Sequence, residues 1–255
     1  MSDALDNPDV RYTYRDDVVA KLRQEGRLQA GRLTLLMPRS FGFCWGVDRA
    51  LAMVESARRS FPGKRMWLLN SLIHNPRVNA DMRAMGIGFL KGPHAVPNAY
   101  QNLSMEDVVI IPAFSAEVED MRHLEGLGVS IIDTTCPWVI KPHKRTLRFL
   151  KDGFSTVIHG TVGHDETRAT CSLVENESGK FLVVHDLKEA QYLADYLCGK
   201  LSAAELMDIL HPNAFSMGFD PERDLQKIGI INQTTMLASE SRAIGDLLKN
   251  ALLER

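Results

Sequence analysis

Short apolar runs alternate with longer amphipathic stretches along most of this 255-residue chain. The runs at 33–37, 66–69, 108–111, 129–132, 156–158, 181–184 and 228–231 are dominated by Val, Ile and Leu. Continuous apolar runs of this length are the mark of strands covered on both faces. Between them apolar residues recur at helical spacing. Val47, Ala50, Leu51, Val54 and Ala57 mark one helix, stopped by Pro62-Gly63. Further helices are predicted over 76–85, 117–124, 137–150, 187–197 and 237–253, with Pro142 expected to kink the helix over 137–150 or limit its first turn. Residues 92–102 read as loop, and Cys171 as part of a polar loop. Strands alternating with helices predict an α/β fold built from small parallel sheets. We expect a first α/β module over 32–135 and a second over 136–255, with 1–31 a polar extension. Within that extension Tyr14, Val18 and Leu22 share one face of a short helix closed by Gly26.

Composition narrows the function classes. The chain is 45% hydrophobic and 24% charged, with a formal net charge of −2. That excludes a global basic field for nucleic acid, so an anionic ligand needs a local pocket. No apolar run approaches the roughly 18 residues of a membrane span. The acid-rich first 30 residues carry no secretory or transit pattern. Four cysteines without a C-x-x-C pair fit a reducing compartment. The expectation is a cytoplasmic protein, or one of the plastid stroma if the source is a photosynthetic eukaryote, with no membrane and no nucleic-acid partner.

In α/β folds ligands lie beyond the carboxyl ends of the strands. The residues there are Cys44, His74 and Asn75, Ser115 and Glu117, Cys136, His159, His164 and Glu166, and Gln233-Thr234-Thr235. Cys44 and Cys136 stand out because each follows a strand-like run and precedes a helix, where a thiolate is favoured electrostatically. Their separation of 92 residues carries no metal signature, and buried structural cysteines remain an open reading. The stretch from His159 to Thr167 holds two histidines and two carboxylates, with Gly160 and Gly163 allowing close backbone approach. It reads as metal ligands, as an anion anchor beside a proton donor, or as a solvated loop. For Asn232 to Thr235 helix capping is the competing reading. Trp45 and Trp138 are expected to pack beneath the site, and Cys198 to belong to the core.

Five segments together resemble the 4-hydroxy-3-methylbut-2-enyl diphosphate reductase family. They are Gly42-Phe43-Cys44-Trp45-Gly46-Val47-Asp48-Arg49-Ala50, Ile73-His74-Asn75-Pro76, Asp133-Thr134-Thr135-Cys136-Pro137-Trp138-Val139, Gly163-His164-Asp165-Glu166-Thr167 and Asn232-Gln233-Thr234-Thr235-Met236. They stand in family order over roughly residues 32–250, closest to the plant and cyanobacterial branch. The resemblance implies three pseudo-symmetric α/β modules around a 4Fe-4S cluster held by three cysteines. Cys44 and Cys136 match two of these ligands. It implies that His74 and His164 bind a substrate diphosphate, and that Glu166, with Thr234 beside it, delivers protons to an allylic hydroxyl. The implied reaction is two-electron reductive dehydroxylation to isopentenyl and dimethylallyl diphosphates, fed by a ferredoxin- or flavodoxin-type donor. Two departures stand out. Glu117 follows the Phe114-Ser115-Ala116 turn, where bacterial members carry a histidine. The third module, with its cysteine, is expected to be absent, leaving an exposed apolar face near residues 33–37. Two other readings stay in play: a non-catalytic binding or assembly protein that keeps the scaffold, and a zinc hydrolase using His159, His164 and Glu166.

Overall fold

The computed structural model describes residues 17–38 and 42–255. It opens with helix α1 (Asp17–Glu25) and strands β1 (Arg27–Ala30) and β2 (Leu33–Leu36). Helix α2 (Trp45–Ser60), β3 (Met66–Leu68), α3 (Pro76–Ala84), β4 (Ile87–Phe89), β5 (Val108–Ile111), α4 (Val118–Leu127) and β6 (Ser130–Asp133) follow. Next come α5 (Pro137–Lys151), β7 (Ser155–His159), α6 (Asp165–Asn176), β8 (Phe181–Val184), α7 (Leu187–Leu197) and α8 (Ala203–Ile209). A 3₁₀ turn (Pro212–Ala214), α9 (Pro221–Asp224), β9 (Ile228–Asn232) and α10 (Ala238–Glu254) complete the order. Tyr14, read as part of the first helix, lies outside the described residues.

Two parallel sheets organise the chain. One has the order β4-β3-β5-β6 and the other β8-β7-β9. Strand β5 shows why the first sheet forms. Its four residues are all buried, with Val108 and Ile110 facing α2 and α3 among Leu51, Val54, Val78 and Met82. Val109 and Ile111 face the other way, among Leu90, Leu103 and Leu124. Successive strand residues point to opposite faces, so a run without polar alternates needs a cover on both sides. In the second sheet β7 is central, and Val157, Ile158 and the whole of β8 pack against α7 and α10 through Leu193, Ala194, Ile244 and Leu248.

Two sequence expectations are overturned. The run at 33–37 is not a buried core strand. It pairs antiparallel with β1 in an isolated hairpin, in register Leu33 with Ala30 and Leu36 with Arg27. Leu33 is 67% and Leu36 75% exposed. An apolar run reports strand tendency, but not whether a covering layer lies within the same sequence. Cys171 lies on α6, not in a loop: residues 165–176 carry apolar Ala169, Cys171, Leu173 and Val174 among many polar ones, which obscured the helix. The helix over 137–150 runs through Pro142 to Lys151.

The chain ends of the strands project the functional loops. Ser71 to His74 follows β3, Ala113 to Glu117 follows β5, and Thr134 to Cys136 follows β6. Gly160 to His164 follows β7, and Gln233 to Thr235 follows β9. Among the described residues no helix is long and apolar enough to cross a membrane.

Candidate functional site

Cys44 and Cys136 are the N-caps of α2 and α5, with extended backbones and no side-chain capping bond of their own. Each cysteine therefore sits at the positive end of a helix of four turns. A Cβ placed on Gly46 would lie 2.5 Å from the Cys136 sulfur and 3.9 Å from that of Cys44. The two sulfurs thus flank one small volume that only a glycine leaves free. The loop carrying Cys136 is held from several sides. Its amide donates to the Ala113 carbonyl at 2.9 Å. The Asp133 carboxylate accepts from the Thr135 amide at 2.9 Å and from the Thr135 hydroxyl at 2.5 Å. Arg49, on the helix that Cys44 caps, donates to the Thr135 carbonyl at 3.3 Å and so ties the two cysteine loops together.

The sulfurs open on a cleft of about 590 Å³. Trp138, Lys141 and Arg145 form one wall along α5, and Ile231, Asn232, Thr234 and Thr235 form another. The tryptophans do not pack beneath the site. Trp138 is 59% exposed, with the Lys141 ammonium 3.8 Å from its ring centroid, and Trp45 is also exposed.

Thr234 joins this cleft to a buried acid. Glu166 is 2% exposed. Its Oε1 accepts from the Thr234 amide at 2.7 Å, and its Oε2 lies 2.6 Å from the Thr234 hydroxyl. Burial pushes the Glu166 carboxyl above the ordinary carboxylate range, against the two Thr234 hydrogen bonds. Gln233 fixes the loop: its Oε1 accepts from the Thr161 amide and the Thr167 hydroxyl, each at 3.0 Å, and its Nε2 donates to Thr235 Oγ1. The 232–235 loop is therefore a site element and not a helix cap; the N-cap of α10 is Leu237.

The two histidines that the sequence pairs are brought together from different sheets. His74 and His164 meet edge to face with ring centroids 4.9 Å apart. Phe114 stacks on His74 at 4.6 Å and meets His164 edge-on at 5.3 Å. His164 caps α6, its Nδ1 accepting from the Glu166 amide at 3.2 Å. That bond assigns the ring proton to Nε2. Burial, with the neighbouring His74 adding to it, pushes the proton affinity of His164 down, against the opposing effect of Asp165. Asp165 approaches His74, its Oδ2 3.9 Å from Nε2, and accepts from Asn70 Nδ2 at 3.1 Å. Glu117 turns to α6 and pairs with Arg168. Phe114 and Asn70 carried no site role in the sequence reading, and Asp165 entered only as one of the two carboxylates of the 159–167 stretch. Their signal was only position, just beyond a strand or next to a motif histidine.

His159 stands apart. It is fully buried, with Nδ1 2.8 Å from Ser241 Oγ and Nε2 3.9 Å from Glu240. The three side chains of the zinc reading therefore point to three separate partners: His159 to Ser241, His164 to His74, Glu166 to Thr234. Among the described residues no group of three or more His, Cys, Asp and Glu is placed to hold a metal ion. Cys171 packs against the second core, and Cys198, also against that core, caps the end of α7 near the Ala251 carbonyl. Neither joins Cys44 and Cys136.

The family model described as LytB protein matches residues 35–254. The chain belongs to the LytB protein family. Over 243 residues, 95% of its length, it is 42% identical to the 4-hydroxy-3-methylbut-2-enyl diphosphate reductase of Prochlorococcus marinus strain AS9601, covering 60% of that protein. It is 43% identical over the same length to the reductase of Synechococcus sp. strain RCC307, covering 58% of it. The chain thus spans about three fifths of the relatives it matches. A solved Plasmodium falciparum E-1-hydroxy-2-methyl-but-2-enyl-4-diphosphate reductase superposes with a TM-score of 0.63 at 19% identity, over 85% of this chain and 56% of that one. A second reductase structure, described as the terminal enzyme of the non-mevalonate pathway, gives 0.58 at 24% identity, over 83% and 61%. At such identities the superpositions speak for the LytB fold alone.

Proposed function

We propose that this LytB chain forms the two-cysteine part of a 4-hydroxy-3-methylbut-2-enyl diphosphate reductase. The observation that carries the reading is the cleft itself. Two helix-capping thiolates share the space that Gly46 leaves, and the Glu166–Thr234 pair opens on the same cleft. The donor set suits a soft, thiolate-bound centre: two cysteines and no histidine or carboxylate between them. Cys44 and Cys136 would hold a 4Fe-4S cluster, with a third thiolate supplied from sequence outside these 255 residues. When bound, the cluster supplies electron transfer and an iron able to polarise a substrate oxygen.

The remaining chemistry belongs to the side chains. His164, neutral with its proton on Nε2, and His74 offer ring N–H donors to the diphosphate without a basic surface. Hydroxide is a poor leaving group near neutral pH, so the departing oxygen needs a proton. Burial keeps Glu166 available as an acid. In that form its Oε2 donates to the Thr234 oxygen, and the Thr234 hydroxyl donates onward into the cleft. The balanced reaction consumes two electrons and two protons: the allylic C–O bond breaks, water leaves, and one C–H bond forms. The electrons come from a one-electron carrier of ferredoxin or flavodoxin type.

Anaerobic reconstitution with iron and sulfide tests this reading, with the chain alone and with the carboxyl-terminal portion of the Prochlorococcus relative supplied separately. Iron bound through Cys44 and Cys136, and reduction of the substrate only when both parts are present, is expected. Equal iron loading after Cys44→Ser and Cys136→Ser would overturn it. A stoichiometric four-iron cluster in the chain alone would contradict the need for a third outside ligand.

A further inference from the structure

The Asp165 carboxylate sits where an anion-binding site has least use for it, within ion-pair distance of a histidine assigned to diphosphate. A fixed negative charge there repels the ligand. Its surroundings give it another task. Asp165 is the first residue of α6, next to the cap His164, and only 20% of its side chain is exposed. One carboxylate oxygen accepts from Asn70 Nδ2, and the other faces His74 Nε2. Asn70 and His74 both belong to the loop after β3, in the first sheet. Asn70 is itself pinned. Its Oδ1 accepts from the Ser71 amide at 2.8 Å, and a Cβ on Gly92 would collide with that same oxygen. Gly92 has φ +78°, a conformation that suits glycine. The links run from Gly92 to Asn70, to Asp165, to the His74 ring, with Phe114 against the face of that ring.

We propose that Asp165 is a positioning residue: held by Asn70, it clasps the His74 loop of the first sheet to the helix of the second sheet that carries His164. The two histidines are thereby set 4.9 Å apart before any anion arrives. Preorganisation of this kind lowers the ordering cost of binding. The proposal rests on the assignment of His74 and His164 to diphosphate, and Asn70, Gly92 and Asp165 are additions to it.

Inorganic pyrophosphate, titrated into the whole chain and followed by NMR shifts, is the probe, with thermal melts reporting folding. Asp165→Asn removes a negative charge from an anion site and keeps an oxygen for Asn70. Electrostatics alone expects tighter binding; the clasp expects binding about five- to tenfold weaker. Asn70→Ala is expected to weaken binding by a similar factor, and to have no further effect in a His74→Ala background, because it acts through that ring. Gly92→Ala should reproduce Asn70→Ala. Tighter binding by Asp165→Asn, or an Asn70→Ala effect undiminished in the His74→Ala background, overturns the clasp. If His74→Ala itself leaves binding unchanged, or the chain does not bind pyrophosphate, the diphosphate assignment falls and the clasp falls with it.

Discussion

The two ends of the cleft are built on opposite plans. At the thiolate end, Cys44 is exposed and Cys136 half-exposed, neither makes a side-chain capping bond, and the neighbouring tryptophans stand in solvent. At the acid end, Glu166 is buried and both carboxylate oxygens are engaged by Thr234. Gln233 there satisfies a hydroxyl and an amide at once. An unpaired buried carboxylate is costly, so the acid end has to be complete within the fold. Sulfurs open to water carry no such cost. The difference is one of construction: the partners of the carboxylate lie within these residues, whereas the two sulfurs line the open cleft.

The largest expected effect tests the open end. Gly46→Ala puts a methyl group 2.5 Å from the Cys136 sulfur and 3.9 Å from that of Cys44, so a sulfur has to shift. Iron bound after anaerobic reconstitution should fall to the level of Cys136→Ser. Gly245→Ala, where an added Cβ meets nothing within 4 Å, should load iron like the parent. If Gly46→Ala loads normally, the sulfurs do not share the space assigned to them.

The closed end is next. Glu166→Gln should lower the rate of the reconstituted two-part enzyme by about 10²–10⁴, the usual contribution of a positioned general acid. The same variant reads out the burial. The folded carboxyl binds its proton more tightly than the unfolded one. Its contribution to stability is therefore full below the ordinary value of 4.5 and is lost as pH rises through the raised folded value. Glu166→Gln should flatten that slope in thermal melts across pH 5–8. An unchanged slope would mean that the carboxyl titrates as if exposed. Thr234→Val removes only the hydroxyl link, and about a tenfold loss of rate is expected, with Thr234→Ser close to the parent.

Much of this contrast was legible in the sequence. Cys44 and Cys136 announced themselves by standing between a strand and a helix, and Glu166, Thr234, His74 and His164 by standing in motifs after strands. Helix α2 and strands β5 and β8 followed from apolar spacing, because that spacing is burial written along the chain. Asp165, Asn70 and Phe114 were not legible as a group. Asn70 and Phe114 come from two loops of the first sheet and Asp165 from the start of α6, and only the fold brings them around the His74 ring. Helix α6 was missed because its polar residues, Glu166, Thr167 and Thr170, are turned inward to hydrogen bonds, which breaks the amphipathic pattern. The hairpin was misplaced for the converse reason, since its leucines carry a core pattern without a core.

That hairpin yields the smallest expected effect and the sharpest test of what openness means. In sequence seven residues separate it from Cys44, and its leucines, like Cys44, are exposed. Surface changes away from special features stay within about 0.5 kcal/mol. Leu33→Thr with Leu36→Thr keeps residues suited to a strand, and removes apolar area that is already in water. In this chain the pair should shift the melting temperature by no more than about 1–2 °C for that free energy. Ile110→Val, which deletes one buried methyl from the centre of the first sheet, should cost about 0.5–1.5 kcal/mol. With the carboxyl-terminal portion of the relative present, the order should reverse if that portion covers the leucines: the exposed pair then becomes the costlier change, measured as lost association and lost iron. If the threonine pair matters as little in the two-part assembly as in the chain alone, the leucines are surface and the open end is confined to the cleft.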